Sequence, residues 1–383
     1  MLEKLLLLNK PLVVKTVNNL IAYGLANEAS DIHLDFSQGG LNVCYRVGGQ
    51  LGSILTVPAH LATAVKHRLE RLAKINRDGN GAFAIKTTAA QTNLTVNKFK
   101  VTGGEKIIIK LRPATLTVPA AEELGLTADQ WTLIKEGLTT PGLILLTGPA
   151  GSGKTATAYA LLEAINTPRL NICTIEETVE KNIPRLNQLQ INNRRGLNWA
   201  AAFKTLASQD ADVIYLSALP AAHLNETAKL SSGKLLLAPL DVAAINDTLN
   251  FCAGSSLAGQ VKLIINQRLA RRLCPACLTA YSITPALLDE LNEKFDLLGE
   301  DLAGLELYRG SGCRRCNHSG YQGLVGLFEV LKISAPLSEA LLKKNLTVAR
   351  ELAAEQLDLS LVESGFIAAL NGLTSVEELI RVI

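Results

Sequence analysis

Gly148, Pro149, Ala150, Gly151, Ser152, Gly153, Lys154 and Thr155 run consecutively and satisfy the spacing G-x-x-x-x-G-K-[ST]. That spacing suits phosphate chemistry. The glycines let backbone N–H groups turn inward around phosphate oxygens without a Cβ in the way. Lys154 would reach the outer phosphates as a point charge, and the Thr155 hydroxyl could ligate Mg²⁺. A helix opening near Gly153 would add its positive N-terminal end, with Ala156 in its first turn. A second set of residues points to metal. Cys274 and Cys277, in "CPAC", and Cys313 and Cys316, in "CRRC", form two C-x-x-C pairs. Each pair can offer two thiolates from one tight turn, and the two pairs together would complete a tetrahedron around a structural Zn²⁺. His318 stands close by as a substitute ligand or a partner to a sulfur.

These residues need elements to hold them. "GLILLTG" before the loop is a short apolar run of buried-strand type, and "GKTATAYALLEAI" after it is helical. "LNICTI", "DVIYLS" and "KLLLAPL" are further apolar strands, separated by the helices "LNWAAAFKTLA" and "AHLNETAKLS". Strands alternating with helices imply a largely parallel sheet covered on both faces. Upstream, residues 11–27 and "HLATAVKHRLERLAKI" have helical periodicity. "SDIHLDF", "LNVCYRV" and "QTNLTVNKFKVTGGEKIIIKLR" have strand character, with "GGQLG" and Gly103-Gly104 as turns. The expected organisation is α/β: an α+β domain over 1–112, a linker over 113–122 around "PATLTVPA", a nucleotide-binding core over 123–272, a zinc-binding subdomain over 273–322 and a mostly helical domain over 323–383.

Composition narrows the function. The chain has 383 residues, 48% of them apolar, enough for more than one core. With 38 basic against 35 acidic residues the net charge is +3, which gives no case for a nucleic-acid surface or a polybasic membrane anchor. "MLEKLLLLNKPLVV" starts like a signal peptide, but its apolar run is short and no cleavage pattern follows. No stretch reaches the length of a membrane span. A cytoplasmic protein is expected. Seven cysteines without a secretory context favour thiols or metal ligands over disulfides. Cys44, Cys173 and Cys252 lie in apolar segments and read as small core residues.

Several long motifs, in order from about Val17 to Leu331, resemble the type II secretion and type IV pilus assembly ATPases. They are "ASDIHLDF", "YRVGG", "LLTGPAGSGKTATAYALL", "CTIEETVE", "LNQLQINNRRGLNWAAAFKTLASQDADVIYL", "INQRLARRLCPAC" and "GCRRCNHSGYQGLVGLFEVL". The resemblance implies a PAS-like N-terminal domain, a RecA-like P-loop core, the tetracysteine zinc subdomain and a helical tail. It also implies ATP, Mg²⁺ and Zn²⁺ as cofactors. The subunit would sit in a homo- or hetero-hexameric ring, peripheral to the inner membrane, under a platform protein of a secretion or pilus machine. From the resemblance, the upstream domain with which many family members dock is expected to be absent.

The chain departs from the family pattern where the bond is broken. Where the family strand ends in Gly-Glu-x-Arg-Asp, this one reads Ser217-Ala218-Leu219-Pro220-Ala221. Ala218 thus stands in place of the catalytic glutamate, and a methyl group cannot orient water. Where Thr-Leu-His-Thr-Asn is expected, Pro239 and Asp241 stand in, so the histidine is missing. Gly48 replaces the acid of the Arg-x-Asp-Gly turn that keeps Arg46. "NRDGNGAFAIK" replaces an arginine-rich run, Thr95 stands at an expected arginine, and Lys110 keeps a charge but not the bidentate fork. Glu176 and Glu177 are retained in the acidic box and are the candidate catalytic carboxylates, expected on the strand beside the phosphate loop. The expected function is ATP binding with weakened hydrolysis; the alternative is a fully active hexameric ATPase driving pilin or pseudopilin assembly. The cysteine pairs and balanced charge argue against a helicase or kinase.

Overall fold

A computed structural model describes residues 11–27, 29–75, 79–86, 91–112, 118–295, 305–357 and 359–383. The signal-like start at 1–10 and most of "PATLTVPA" lie outside them. The chain divides into two compact units, Met1–Leu116 and Thr117–Ile383, a division that falls within the span read as a linker.

The first unit is a six-stranded antiparallel sheet with two helices. Its elements are α1 (Leu12–Ala26), β1 (Ala29–Ser37), β2 (Gly40–Val47), β3 (Gln50–Val57), α2 (Ala59–Ala73), β4 (Gly79–Lys86), β5 (Gln91–Val101) and β6 (Gly104–Arg112), in the sheet order β3-β2-β1-β6-β5-β4. Val17, Leu20 and Ile21 of α1 and Val65 and Leu69 of α2 share one core with Ile32, Leu34, Val43, Leu94, Val96, Ile107 and Ile109 of the strands. Those strand positions alternate, as a sheet covered on one face requires. Cys44 lies buried in β2. Thr95 and Lys110 are register partners on adjacent strands. β4 has no counterpart in the sequence reading, because glycines at 79 and 81 hide the pattern in "GNGAFAIK".

The second unit holds both sets of chemistry-bearing residues. It runs through α3 (Ala128–Leu138), β7 (Gly142–Thr147), α4 (Lys154–Ile165), β8 (Ile172–Glu176), β9 (Asn187–Gln190), α5 (Trp199–Ala207), β10 (Val213–Leu216), α6 (Leu224–Ser231), β11 (Leu235–Leu240), α7 (Ile245–Cys252) and β12 (Val261–Leu273). It continues through β13 (Leu278–Ser282), α8 (Pro285–Phe295), β14 (Glu306–Gly310), β15 (Tyr321–Lys332), α9 (Ala335–Leu342), α10 (Leu346–Gln356), α11 (Leu361–Leu370) and α12 (Val376–Val382). The main sheet has the order β15-β12-β7-β11-β10-β8-β9. Every pairing from β12 to β9 is parallel, and β15 adds antiparallel to β12.

All six residues of β7 are buried, which is what a central strand with helices on both faces demands. Its core includes Leu143, Leu145, Ile175, Phe203, Ile214, Leu236, Leu249, Ile264 and Leu337, with Cys173 and Cys252 among them. Burial pushes the Cys252 thiol up to about 12, so it stays a neutral core residue. The topology corrects two expectations. β8, which carries Glu176, is not beside the phosphate-loop strand: β11 and β10 lie between them. The division between Gln322 and Gly323 falls inside β15, so the segment read as a mostly helical tail begins as an edge strand of the core sheet. The helices that follow do pack as helices. α12 is fixed by a buried carboxylate, Glu378, whose oxygens accept from Arg271 Nε of β12 at 2.9 Å and Arg381 Nη2 at 2.5 Å. Among the described residues no helix is long and apolar enough to cross a membrane.

Candidate functional site

The phosphate loop lies between the C-terminal end of β7 and the first turn of α4. Three glycines make it possible: Gly148, Gly151 and Gly153 have φ of +142°, +82° and +90°, conformations that cost a side-chain-bearing residue free energy. At Gly148 space is also short, since a Cβ would lie 2.5 Å from the Gln267 carbonyl and 2.6 Å from Ser152 Oγ. Gly153 caps α4, leaving the helix N-terminus and its unpaired N–H groups aimed into the loop. Pro149, Ala150 and Gly151 are exposed, Gly153, Thr155 and Ala156 are half-buried, and Ser152 and Lys154 are buried. The loop therefore has a donor-lined inner face under an open rim, the arrangement an oxyanion needs.

Lys154 points back along its own loop. Its Nζ donates to Gly148 O at 2.7 Å and Pro149 O at 2.8 Å, and pairs with Asp241 Oδ1 at 2.8 Å. Asp241 directly follows β11, whose Leu240 is in register with Thr147 of β7. The other wall is β12. Gln267, fully buried, donates through Nε2 to Ser152 O at 2.6 Å and so props the loop from beneath. Arg268 ties the Gln267 carbonyl (3.0 Å) to the Ala243 carbonyl (2.6 Å), bracing the segment that carries Asp241. Burial lowers the pKa of Arg268 and raises that of its neighbour Glu329. Gln267 and Arg268 belong to "INQRLARRLCPAC", where polar residues inside a largely buried strand are the sequence signal for this role.

The two acidic-box residues separate. Glu176 is buried, and both oxygens are occupied: Oε1 accepts from Thr174 Oγ1 at 2.5 Å and Gln188 Nε2 at 3.0 Å, while Oε2 accepts a short bond from the Tyr159 hydroxyl. Tyr159 lies on α4 and packs edge-on against Tyr215 of β10. Burial raises the pKa of both tyrosines, first by desolvation, so both remain donors. Glu176 thus belongs to a buried network beneath the start of α4. Glu177, by contrast, is exposed, its N–H donating to Ser217 Oγ at 2.9 Å. Three strand spacings, about 14 Å, separate its strand from β7. Ser217, Ala218, Leu219 and Pro220 follow β10 and put no ionisable side chain at that strand end. A cleft of about 670 Å³ lined by Trp131, Lys135 and Glu163 borders the C-terminal half of α4, at the far end from the loop, and shares no residue with it.

The four cysteines converge. Cys274 and Cys277 follow β12, Cys313 and Cys316 precede β15, and their sulfurs all lie within 4.8 Å of one another. Sγ–Sγ distances are 3.9 Å for Cys274–Cys313, 3.8 Å for Cys277–Cys316 and 3.7 Å for Cys313–Cys316. A tetrahedron with metal–sulfur bonds of about 2.3 Å has edges of about 3.8 Å, so the cluster fits Zn²⁺. Backbone N–H groups of Cys313 and Gly320 donate to Cys316 Sγ and pull that thiol down to about 6, whereas desolvation first of all pushes Cys277 up to about 11. The strands approach closely here because Gly310 and Gly320 face each other: a Cβ on Gly310 would lie 2.1 Å from the Gly320 carbonyl. His318 contributes only its backbone N–H, to Cys313 O at 2.8 Å, and is not among the clustered ligands.

The family described as "Type II/IV secretion system protein" matches residues 8–381. The chain is 32% identical over 387 residues to the type IV pilus assembly ATPase PilB of Acinetobacter baylyi, covering 97% of this chain and 66% of that protein. It is 30% identical to the PilB of Thermus thermophilus, covering 96% of this chain and 42% of that one. To the type II secretion system ATPase E of Vibrio cholerae it is 29% identical, covering 97% and 75%. Among solved structures, the ATPase DotB of Legionella pneumophila superposes with a TM-score of 0.68 at 15% identity, covering 97% of both chains. The pilus retraction motor PilT with bound ADP gives 0.58 at 19%, covering 94% of this chain and 95% of that one. The structural likenesses establish the fold. The sequence match, running almost from end to end, establishes that this chain belongs to the type II/IV secretion system protein family.

Proposed function

We propose that this chain is the nucleotide-binding subunit of a type II secretion or type IV pilus assembly machine, and that it captures ATP but cleaves it slowly or not at all. The observation that carries this reading is the contrast at one sheet edge. β7 leads into the glycine-rich loop with Lys154 and Thr155 in place, while β10, two strands away, is followed by Ser217-Ala218. In this reading the loop amides and Lys154 hold the β- and γ-phosphates and the Thr155 hydroxyl ligates Mg²⁺, which supplies charge neutralisation on the phosphates. Gln267, bonded to Ser152 O, keeps the loop's backbone in its cradle shape. Ala218 offers nothing to a water. Glu176 is committed to Tyr159, Thr174 and Gln188, so any turnover that remains falls to the exposed Glu177. Losing the group that orients water lowers rate by orders of magnitude and leaves binding largely intact.

Cys274, Cys277, Cys313 and Cys316 hold a structural Zn²⁺ with every position filled by protein, a role in folding rather than reaction. The subunit belongs in a homo- or hetero-hexamer beneath an inner-membrane platform protein, on the cytoplasmic side; a ring shared with an active relative would accommodate a subunit that binds without cleaving. Steady-state ATP turnover with Mg²⁺, measured beside fluorescent-nucleotide binding, tests the reading. Binding with turnover equal to that of a Lys154→Ala control supports it; robust turnover overturns it.

A further inference from the structure

Lys154 has no proton left to offer a phosphate. An ammonium carries three N–H groups, and here they are engaged by Gly148 O at 2.7 Å, Pro149 O at 2.8 Å and Asp241 Oδ1 at 2.8 Å, with Ser152 Oγ a longer fourth contact at 3.5 Å. The lysine side chain is only 9% exposed while that of Asp241 is 73% exposed, so the carboxylate closes the open side of a buried cation. The backbone that carries Asp241 is held on both sides. Leu240 is hydrogen-bonded in register beside Thr147, Val242 N–H donates to Leu240 O at 3.0 Å, and Arg268 Nη2 grips Ala243 O at 2.6 Å. The sheet and β12 together deliver Asp241 to the mouth of the phosphate loop.

Resting on the nucleotide-binding reading above, we propose that Asp241 is a specificity-determining residue of this site: an anion of the chain's own that occupies Lys154 and that a terminal phosphate must displace. Carboxylate and phosphate are both anionic acceptors competing for the same ammonium. A nucleotide whose phosphates reach Lys154 therefore binds only the fraction of molecules in which the pair is open, and its apparent affinity falls by that fraction. A nucleotide whose single phosphate stops short of the ammonium escapes the penalty. Asp241 thus narrows the preference for ATP over AMP and sets how much ATP is needed to load the subunit.

The test compares equilibrium binding of MgATP and MgAMP to the full chain, D241N, K154A and the K154A/D241N double variant. Asp241 is exposed, and asparagine keeps its shape, so D241N should fold as the parent does. With the pair closed in nine molecules of ten, D241N should bind MgATP about tenfold more tightly, with MgAMP changed less than twofold. In the K154A background D241N should change nothing. Equal MgATP affinity for the parent and D241N overturns the inference and leaves the nucleotide-binding reading standing. An equal gain for MgAMP, or a gain that survives K154A, also overturns it, because the effect would then be one of general charge. Absence of binding to every variant overturns both.

Discussion

At the cysteine cluster four sulfurs stand at the corners a metal tetrahedron would require, backbone amides donate to Cys316, and two facing glycines let the strands approach closely. At the glycine-rich loop the backbone is equally well built for the proposed capture, with Gly148, Gly151 and Gly153 at positive φ and Gln267 bracing Ser152 O. The half that would do chemistry is different: Ala218 stands at the end of β10, Glu176 is consumed by internal hydrogen bonds, and Asp241 sits on the lysine. A structural site tolerates no missing ligand, because its binding free energy is folding free energy. A catalytic site can lose its reactive groups and keep its fold and its affinity, since the carboxylate that orients water contributes little to either. On the function proposed above, the chain keeps the parts with a structural or binding role.

The largest expected effect lies at the cysteines. Stripping the metal forfeits on the order of 10 kcal/mol of binding free energy coupled to folding. Elemental analysis should find one zinc per chain, and a chelator should lower the melting temperature and expose the Cys274–Cys316 thiols to alkylation. Next comes Glu378, which joins β12 to α12 beside that cluster. Burial alone would raise its pKa, but hydrogen bonds from Arg381 and Arg271 outweigh it and leave the carboxyl below its ordinary value of 4.5. Glu378→Gln should cost about 3 kcal/mol at neutral pH, the scale for breaking a buried pair. A lowered pKa means that this stability is present above the ordinary value and is lost as pH falls through the folded one. Denaturant curves of parent and variant should therefore converge under acid.

The remaining two changes act on the phosphate side. Lys154→Ala should weaken MgATP binding about a hundredfold, the loss of a buried charge-assisted contact, with circular dichroism unchanged. The smallest effect sharpens the contrast most. Ala218→Glu should raise turnover by about tenfold, a small part of what one preorganised group can supply, while leaving the dissociation constant for MgATP within twofold. No gain in turnover would mean that β10 is not where the reaction was lost.

Much of this was legible in the chain. "GLILLTG" and "GKTATAYALLEAI" specify β7 and α4 because a continuous apolar run and a glycine-to-lysine switch leave little choice, and the C-x-x-C spacing brings its own geometry. Long-range pairing was less visible. β12 and β15 are long antiparallel partners, yet "QRLARRL" and "YQGLVGLFEVL" break the apolar rhythm with charges and glycines that serve the loop and the cysteine cluster. The order of strands is a property of crossovers, so the two strands between β7 and β8 could not be read from the residues of either. Nor could the pairing of Asp241 with Lys154, since a replacement at an expected histidine says what is gone but not what the newcomer touches.

Single-turnover chemistry tests the central claim most directly. Excess protein is mixed with limiting γ-labelled ATP and Mg²⁺, the bound nucleotide is isolated, and the label is assayed over an hour. The account predicts that ATP is recovered bound and intact, with phosphate release no faster than in K154A. Stoichiometric conversion of the bound ATP to ADP and phosphate within minutes would contradict it.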